Sequence, residues 1–129
     1  MRREIFNYFN IAAKLTKSKN DERNFLVGSV AIRRDGALVS SINSASEIPN
    51  RLLHAEYKLS KKCDVGSTVY VCRVRLLDGN FGMARPCHSC KKCLISKGIS
   101  KVYYSIESQH SYGVMDLIRD TEYQVLRIK

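Results

Sequence analysis

The sequence has no long apolar run and few acidic residues. It contains no run of about 18 apolar residues, which argues against a membrane-spanning helix. The opening MRREIFNYFN lacks the apolar core of a signal peptide. Acidic residues are few, with 12 Asp and Glu against 22 Lys and Arg and a formal charge of +10. We therefore expect a cytoplasmic protein with no membrane contact and with a phosphorylated or polyanionic partner.

The sequence also lacks internal repeats and low-complexity segments. Its 129 residues suffice for one domain that buries a core without disulfides. In a reducing compartment, five cysteines are more often metal ligands or free structural thiols than disulfide partners. An odd number of cysteines also cannot all pair within one chain. We expect a single domain over residues 1–129.

Hydrophobic periodicity predicts alternating helices and strands. Apolar residues spaced by three and four predict an amphipathic helix over 3–17. Two β-rich runs, 25–34 and 37–42, are joined by Asp35-Gly36, which predicts a two-residue hairpin with positive φ at both positions. Further helices are predicted at 52–62, 87–97 and 114–119, and further strands at 67–76, 99–106 and 123–128. This order predicts an α/β protein with helices on both faces of a sheet, and parallel neighbours among the last three strands.

Two short motifs carry the candidate chemistry. His54-Ala55-Glu56 opens the predicted second helix, and Pro86-Cys87-His88-Ser89-Cys90 opens the third. One His and two Cys offer the donors that zinc prefers, and catalytic zinc sites use three protein ligands where structural sites use four. Residues two apart on a helix point about 200° away from each other, so Glu56 suits a proton carrier better than a ligand.

These motifs resemble those of the cytidine deaminase superfamily. The first ligand position holds His rather than Cys. In this respect the chain resembles the deoxycytidylate, tRNA-adenosine and polynucleotide cytidine deaminase branches of the superfamily. The resemblance implies a three-layer α/β/α sandwich with a mixed five-stranded sheet, and one catalytic Zn²⁺ held by His54, Cys87 and Cys90. Glu56 would be the catalytic proton shuttle as cytosine becomes uracil and ammonia leaves. Asn43 matches a family position that contacts the sugar or base. Ala55, Tyr104 in the predicted strand over 99–106 and His110 in the predicted loop after it are further candidates for substrate contact.

The resemblance leaves the substrate open. We favour a (deoxy)cytidine nucleotide such as deoxycytidylate, with cytosine in single-stranded DNA or RNA as the alternative and adenosine in RNA as a less favoured one. Residues 43–53 have no His or Cys for the regulatory metal site of deoxycytidylate deaminases. Arg85 stands where tRNA-adenosine enzymes have an acidic residue. Relatives commonly associate, which leaves a homo-oligomer open.

Basic residues flank the second motif. Arg85, Lys91 and Lys92 would either hold phosphate or form a solvated face, and the sequence favours neither.

Cys93 supports a competing interpretation. It forms a second C-x-x-C with Cys90, and would either replace Cys87 or join the other ligands to close a four-ligand structural site. In the latter case the chain would be a non-enzymatic nucleic-acid-binding module stabilised by zinc. Glu56 would have no purpose in such a module, which is why we favour an enzyme.

Overall fold

A computed structural model describes residues 2–17, 25–42, 62–75, 81–86 and 88–126. The predicted helix over 52–62 therefore lies outside the described residues, except for Lys62, which is in a turn. In chain order, the elements in the described ranges are α1 (Arg2–Lys17), β1 (Phe25–Ile32), β2 (Leu38–Ile42), β3 (Thr68–Arg75), β4 (Phe81–Gly82), α2 (His88–Ser96), β5 (Lys101–Ile106), β6 (Ser108–Asp116) and β7 (Thr121–Val125).

The strands form one mixed sheet. Its order is β2-β1-β3-β5-β6-β7, and the short β4 pairs with β3. β3 and β5 are parallel, whereas the other pairs are antiparallel. The predicted mixed α/β sheet is confirmed, and the described residues contribute seven strands to it in place of the predicted five.

The two faces of the sheet bury separate cores. One face packs against α1, which confirms the amphipathic helix and buries Ile5, Phe9, Ala12 and Ala13. The opposite face packs against Leu94 of α2 and buries Val69, Val71, Val102 and Tyr104. Each large apolar side chain buried in this way stabilises the fold by about 1.5–3 kcal/mol. The described helices thus form the outer layers of the predicted α/β/α sandwich, and neither of them is long and apolar enough to cross a membrane.

The hairpin between β1 and β2 forms with a turn other than the predicted one. The Gly36 N–H donates to the Arg33 carbonyl at 2.9 Å, and the Arg33 N–H donates to the Ala37 carbonyl at 2.9 Å. Gly36 has a φ of +91°, but Asp35 has no positive φ. These bonds indicate a turn that ends in a glycine bulge, in which a single residue needs positive φ. The predicted Asp-Gly turn with positive φ at both positions is therefore wrong.

The last third of the chain departs most from prediction. Residues 114–119, predicted as a helix, contain the end of β6 and part of the turn to β7. β6 pairs with β5 on one side and β7 on the other, both antiparallel. The predicted parallel pairing is therefore confirmed for β3 and β5 but is wrong for the last strand, which pairs antiparallel with β6. An apolar run of this length is ambiguous between helix and buried strand, and pairing on both edges satisfies its backbone groups. The Asp116 carboxylate accepts two backbone N–H groups of the turn, at 3.1 and 3.0 Å.

Glycine is the residue most often found just after the last turn of a helix, so Gly98 in the sequence predicts an end of α2 at this position, where the structure has it. The Gly98 N–H donates to the Ile95 carbonyl at 3.0 Å, and the Ile99 N–H donates to the Leu94 carbonyl at 3.1 Å. Together with a φ of +76° at Gly98, these bonds form a Schellman motif. The motif turns the chain out of α2 towards β5.

Gly98→Ala is expected to lower the free energy of unfolding by about 1–2 kcal/mol, because a side chain disfavours the left-handed conformation. The new Cβ would also lie 3.0 Å from Val65 Cγ2. Urea denaturation measures the loss. Gly36→Ala is a matched control, since its φ is +91° and nothing lies within 4 Å of the new Cβ. Unchanged stability in Gly98→Ala would contradict this helix ending.

Candidate functional site

Residues 81–86, which lead from the sheet to the second motif, are held by β3 and β5. The Ala84 N–H donates to the Ser105 carbonyl at 2.9 Å. The Ser105 hydroxyl donates to the Gly82 carbonyl at 2.8 Å and accepts the Arg73 N–H at 3.1 Å. The sheet therefore fixes the backbone that enters the motif.

The second motif lies at the start of α2. Pro86 is buried, Cys87 lies outside the described residues, and α2 begins at His88. Cys90, in the first turn, has an exposed fraction of 0%. Unsatisfied backbone amides in the first turn of a helix favour a thiolate, so this position suits a metal ligand. Cys93, the alternative ligand, is partly exposed.

Most of the predicted site residues lie outside the described residues. These are Asn43, His54, Ala55, Glu56 and Cys87. Within the described ranges, no three His, Cys, Asp or Glu side chains are grouped as a metal site. The roles of these residues stay predictions.

The two remaining predicted substrate contacts lie on neighbouring strands. His110 is in β6, and Tyr104 is in β5. The Tyr104 side chain has an exposed fraction of 0%. Its ring lies against Gly113, where an added Cβ would be 2.0 Å from Tyr104 Cζ. Glycine is therefore required beneath this ring.

Tyr104 joins a charged cluster with Arg85 and Glu122. The Tyr104 hydroxyl donates to Glu122 Oε2 at 2.5 Å. Arg85 donates through Nε to Oε2 at 2.8 Å and through Nη2 to Oε1 at 2.9 Å. Such two-pronged pairing fixes orientation as well as charge. The cluster links the residue before Pro86 to β5 and β7.

The protonation states of this cluster follow from its contacts. The bond from the Arg85 guanidinium lowers the pKa of the Glu122 carboxyl below its usual value. Burial, followed by the bond to Glu122, raises the pKa of the Tyr104 hydroxyl to about 12. At neutral pH Glu122 is therefore a carboxylate, and Tyr104 is a neutral donor to it.

The basic residues around the motif differ in their contacts. Arg85 is bound by Glu122, and Lys91 Nζ lies 3.8 Å from Asp120 Oδ1. Lys92 is exposed. The phosphate contacts that the sequence left open at Arg85 and Lys91 therefore compete with carboxylates already in place.

Sequence reasoning missed Glu122. Residues 114–119 were predicted as a helix, so the hairpin of β6 and β7, which carries Glu122, was not predicted. The signal was a two-residue alternation after the turn, since Glu122 and Gln124 share one face of β7 and Tyr123 and Val125 the other. The register pairs Gln124 with Gly113 and Gly113 with Tyr104, which brings Glu122 within reach of Tyr104.

Comparison with known proteins identifies the family. The family described as the cytidine and deoxycytidylate deaminase zinc-binding region matches residues 3–106, which include both motifs. A search of curated proteins finds no match.

Solved structures share the fold at low sequence identity. The cytidine deaminase from Mycobacterium leprae is 19% identical with a TM-score of 0.60, over 88% of this chain and 92% of that one. The cytidine deaminase from Burkholderia pseudomallei is 20% identical with a TM-score of 0.52, over 83% of this chain and 88% of that one. These likenesses support the α/β fold, and the family match covers most of the sequence. The chain therefore belongs to the cytidine and deoxycytidylate deaminase family.

Proposed function

We propose that this chain is a zinc-dependent hydrolytic deaminase that converts cytosine to uracil in a (deoxy)cytidine nucleotide such as deoxycytidylate. The family match across both motifs carries the proposal. The buried Cys90 in the first turn of α2 supports it, because this is where a ligand thiolate is favoured. The formal charge of +10 supports a phosphorylated substrate.

The donor set fits one zinc ion. His54, Cys87 and Cys90 would hold it, because one imidazole and two thiolates are ligands that zinc accepts in catalytic sites. Cys90 is a described member of this set, and its burial agrees with ligation rather than solvent exposure. When bound, zinc supplies the Lewis acidity that makes water a nucleophile near neutral pH.

Glu56 would carry the protons. In the proposed reaction a water molecule adds at C4 of cytosine. Glu56 accepts a proton from that water and delivers it to the ring nitrogen. It then accepts the proton of the new C4 hydroxyl and passes it to the amine, so that the C4 carbonyl forms as ammonia leaves. A carboxylate suits this role because it can accept and return a proton within one turnover.

Free cytidine is a second candidate substrate. Arg85 and Lys91 flank the motif, but both are paired with carboxylates of the β6–β7 hairpin. This pairing leaves fewer cations for a 5′-phosphate. A nucleoside would need none of them.

Ammonia release from deoxycytidylate, cytidine, single-stranded DNA and RNA, offered in parallel, tests the proposal. We expect deoxycytidylate to be turned over best, with a KM that changes little with salt. Binding of a polynucleotide through six to ten phosphates would instead weaken about 10³–10⁵-fold between about 50 and 200 mM salt. Preferential turnover of DNA or RNA with that salt dependence would contradict the mononucleotide assignment. Preferential turnover of cytidine would favour the second candidate.

A further inference from the structure

The hairpin formed by β6 and β7, here called the C-terminal hairpin, contacts the residues that flank the second motif on each side. Arg85, two residues before Cys87, pairs with Glu122 of β7. Lys91, the residue after Cys90, pairs with Asp120 in the turn between the strands. The family match ends at residue 106, so this hairpin lies beyond it.

Arg85 and Glu122 form the stronger contact. Two hydrogen bonds, of 2.8 and 2.9 Å, join the guanidinium to both carboxylate oxygens. The buried Tyr104 holds the same carboxylate through a third bond of 2.5 Å. The Tyr104 ring is in turn confined by Gly113 of β6. The carboxylate that receives Arg85 is thus oriented by Tyr104 of β5, whose ring lies against β6.

Lys91 and Asp120 form the weaker contact. Their separation of 3.8 Å and the 89% exposure of the Asp120 side chain make this an ordinary surface pair. Asp120 has a φ of +54°, a conformation that Asp tolerates better than most residues. The turn therefore presents its carboxylate towards α2 without a glycine.

We propose that the C-terminal hairpin fixes the backbone on both sides of the second motif and so positions Cys90, with Glu122 as the principal positioning residue and Asp120 as its auxiliary. The inference rests on the proposed function, in which Cys87 and Cys90 bind zinc. Residues 81–86 are bonded to β5 through Ala84, and Arg85 bonds the same segment to β7. Partners outside the ligand set commonly hold metal ligands in place, and their removal typically weakens metal affinity by about 10–100-fold.

Competition with a chromogenic chelator for zinc tests this role, using zinc-loaded full-length protein. Glu122→Gln keeps the shape of the side chain but removes its charge, and we expect zinc affinity to fall about 10-fold or more. Arg85→Ala should cause a similar loss. The double variant should lose no more than the larger single loss, because both changes break the same contact. Arg85→Lys, which retains the charge, should recover part of the affinity.

Asp35→Asn is the matched control. It also removes one negative charge, and Asp35 pairs with Arg33 in the distant β1–β2 hairpin. We expect its zinc affinity to equal that of the wild type. Equal affinities for Glu122→Gln, Asp35→Asn and the wild type would overturn the positioning role while leaving the proposed zinc site intact. A wild type that binds no zinc would instead contradict the zinc site itself.

Discussion

Glu56→Gln is expected to slow deamination by at least about 10²-fold while zinc remains bound. The substitution keeps the size and polarity of the side chain but removes the group that accepts and returns the proton. General acid–base catalysis typically contributes about 10²–10⁴-fold, so we expect kcat to fall by about that factor or more. Because Glu56 is not proposed as a ligand, metal analysis should find the same zinc content as in the wild type.

Glu107→Gln provides the control for this substitution. Glu107 is an exposed residue at the junction of β5 and β6, and the change is chemically identical. We expect it to leave kcat and zinc content unchanged. Full activity in Glu56→Gln would contradict the assigned proton carrier. Loss of zinc from that variant would indicate that Glu56 is a ligand instead.

Gly113→Ala is expected to lower the free energy of unfolding by about 3 kcal/mol, near the upper end of what overpacking costs. The added Cβ would lie 2.0 Å from Tyr104 Cζ and 2.2 Å from Tyr104 Cε2. The ring is fully buried and its hydroxyl is bonded to Glu122, so it cannot move aside without losing these contacts. Gly113 has no positive φ, so the loss comes from the steric clash alone.

A double-mutant cycle with Tyr104→Ala separates this clash from other effects. Tyr104→Ala should itself destabilise the protein by about 3–5 kcal/mol, the usual cost of removing a large buried aromatic side chain. In that background Gly113→Ala should cost much less, because the ring is gone. Chemical denaturation measures all four proteins. Equal costs of Gly113→Ala with and without the Tyr104 ring would show that the ring does not confine this position.

The sequence predicted the first helix, the β1–β2 hairpin, β3 and α2 because each has an unambiguous local signal. Apolar spacing marked the helix over 3–17, and Gly98 marked the end of α2. The zinc motifs were readable for a similar reason, since ligand chemistry requires particular residue types at short spacing.

The C-terminal hairpin was not predicted because it is determined by pairing between strands and not by a local sequence pattern. The apolar residues in 114–119 suit a helix as well as a strand, and strand pairing on both edges decides between them. The Glu122 cluster depended on this decision. In the sequence, Tyr104 and Glu122 are separated by 18 positions, and Arg85 and Glu122 are separated by 37. No local pattern links positions so distant in the chain.

The most direct test of the proposed deaminase function is to measure both products formed from deoxycytidylate by the zinc-loaded wild type. We expect deoxyuridylate and ammonia in equal amounts, and we expect Glu56→Gln to form both at least about 10²-fold more slowly. A folded, zinc-bound wild type that releases no ammonia from any cytosine-bearing substrate would contradict the proposed function.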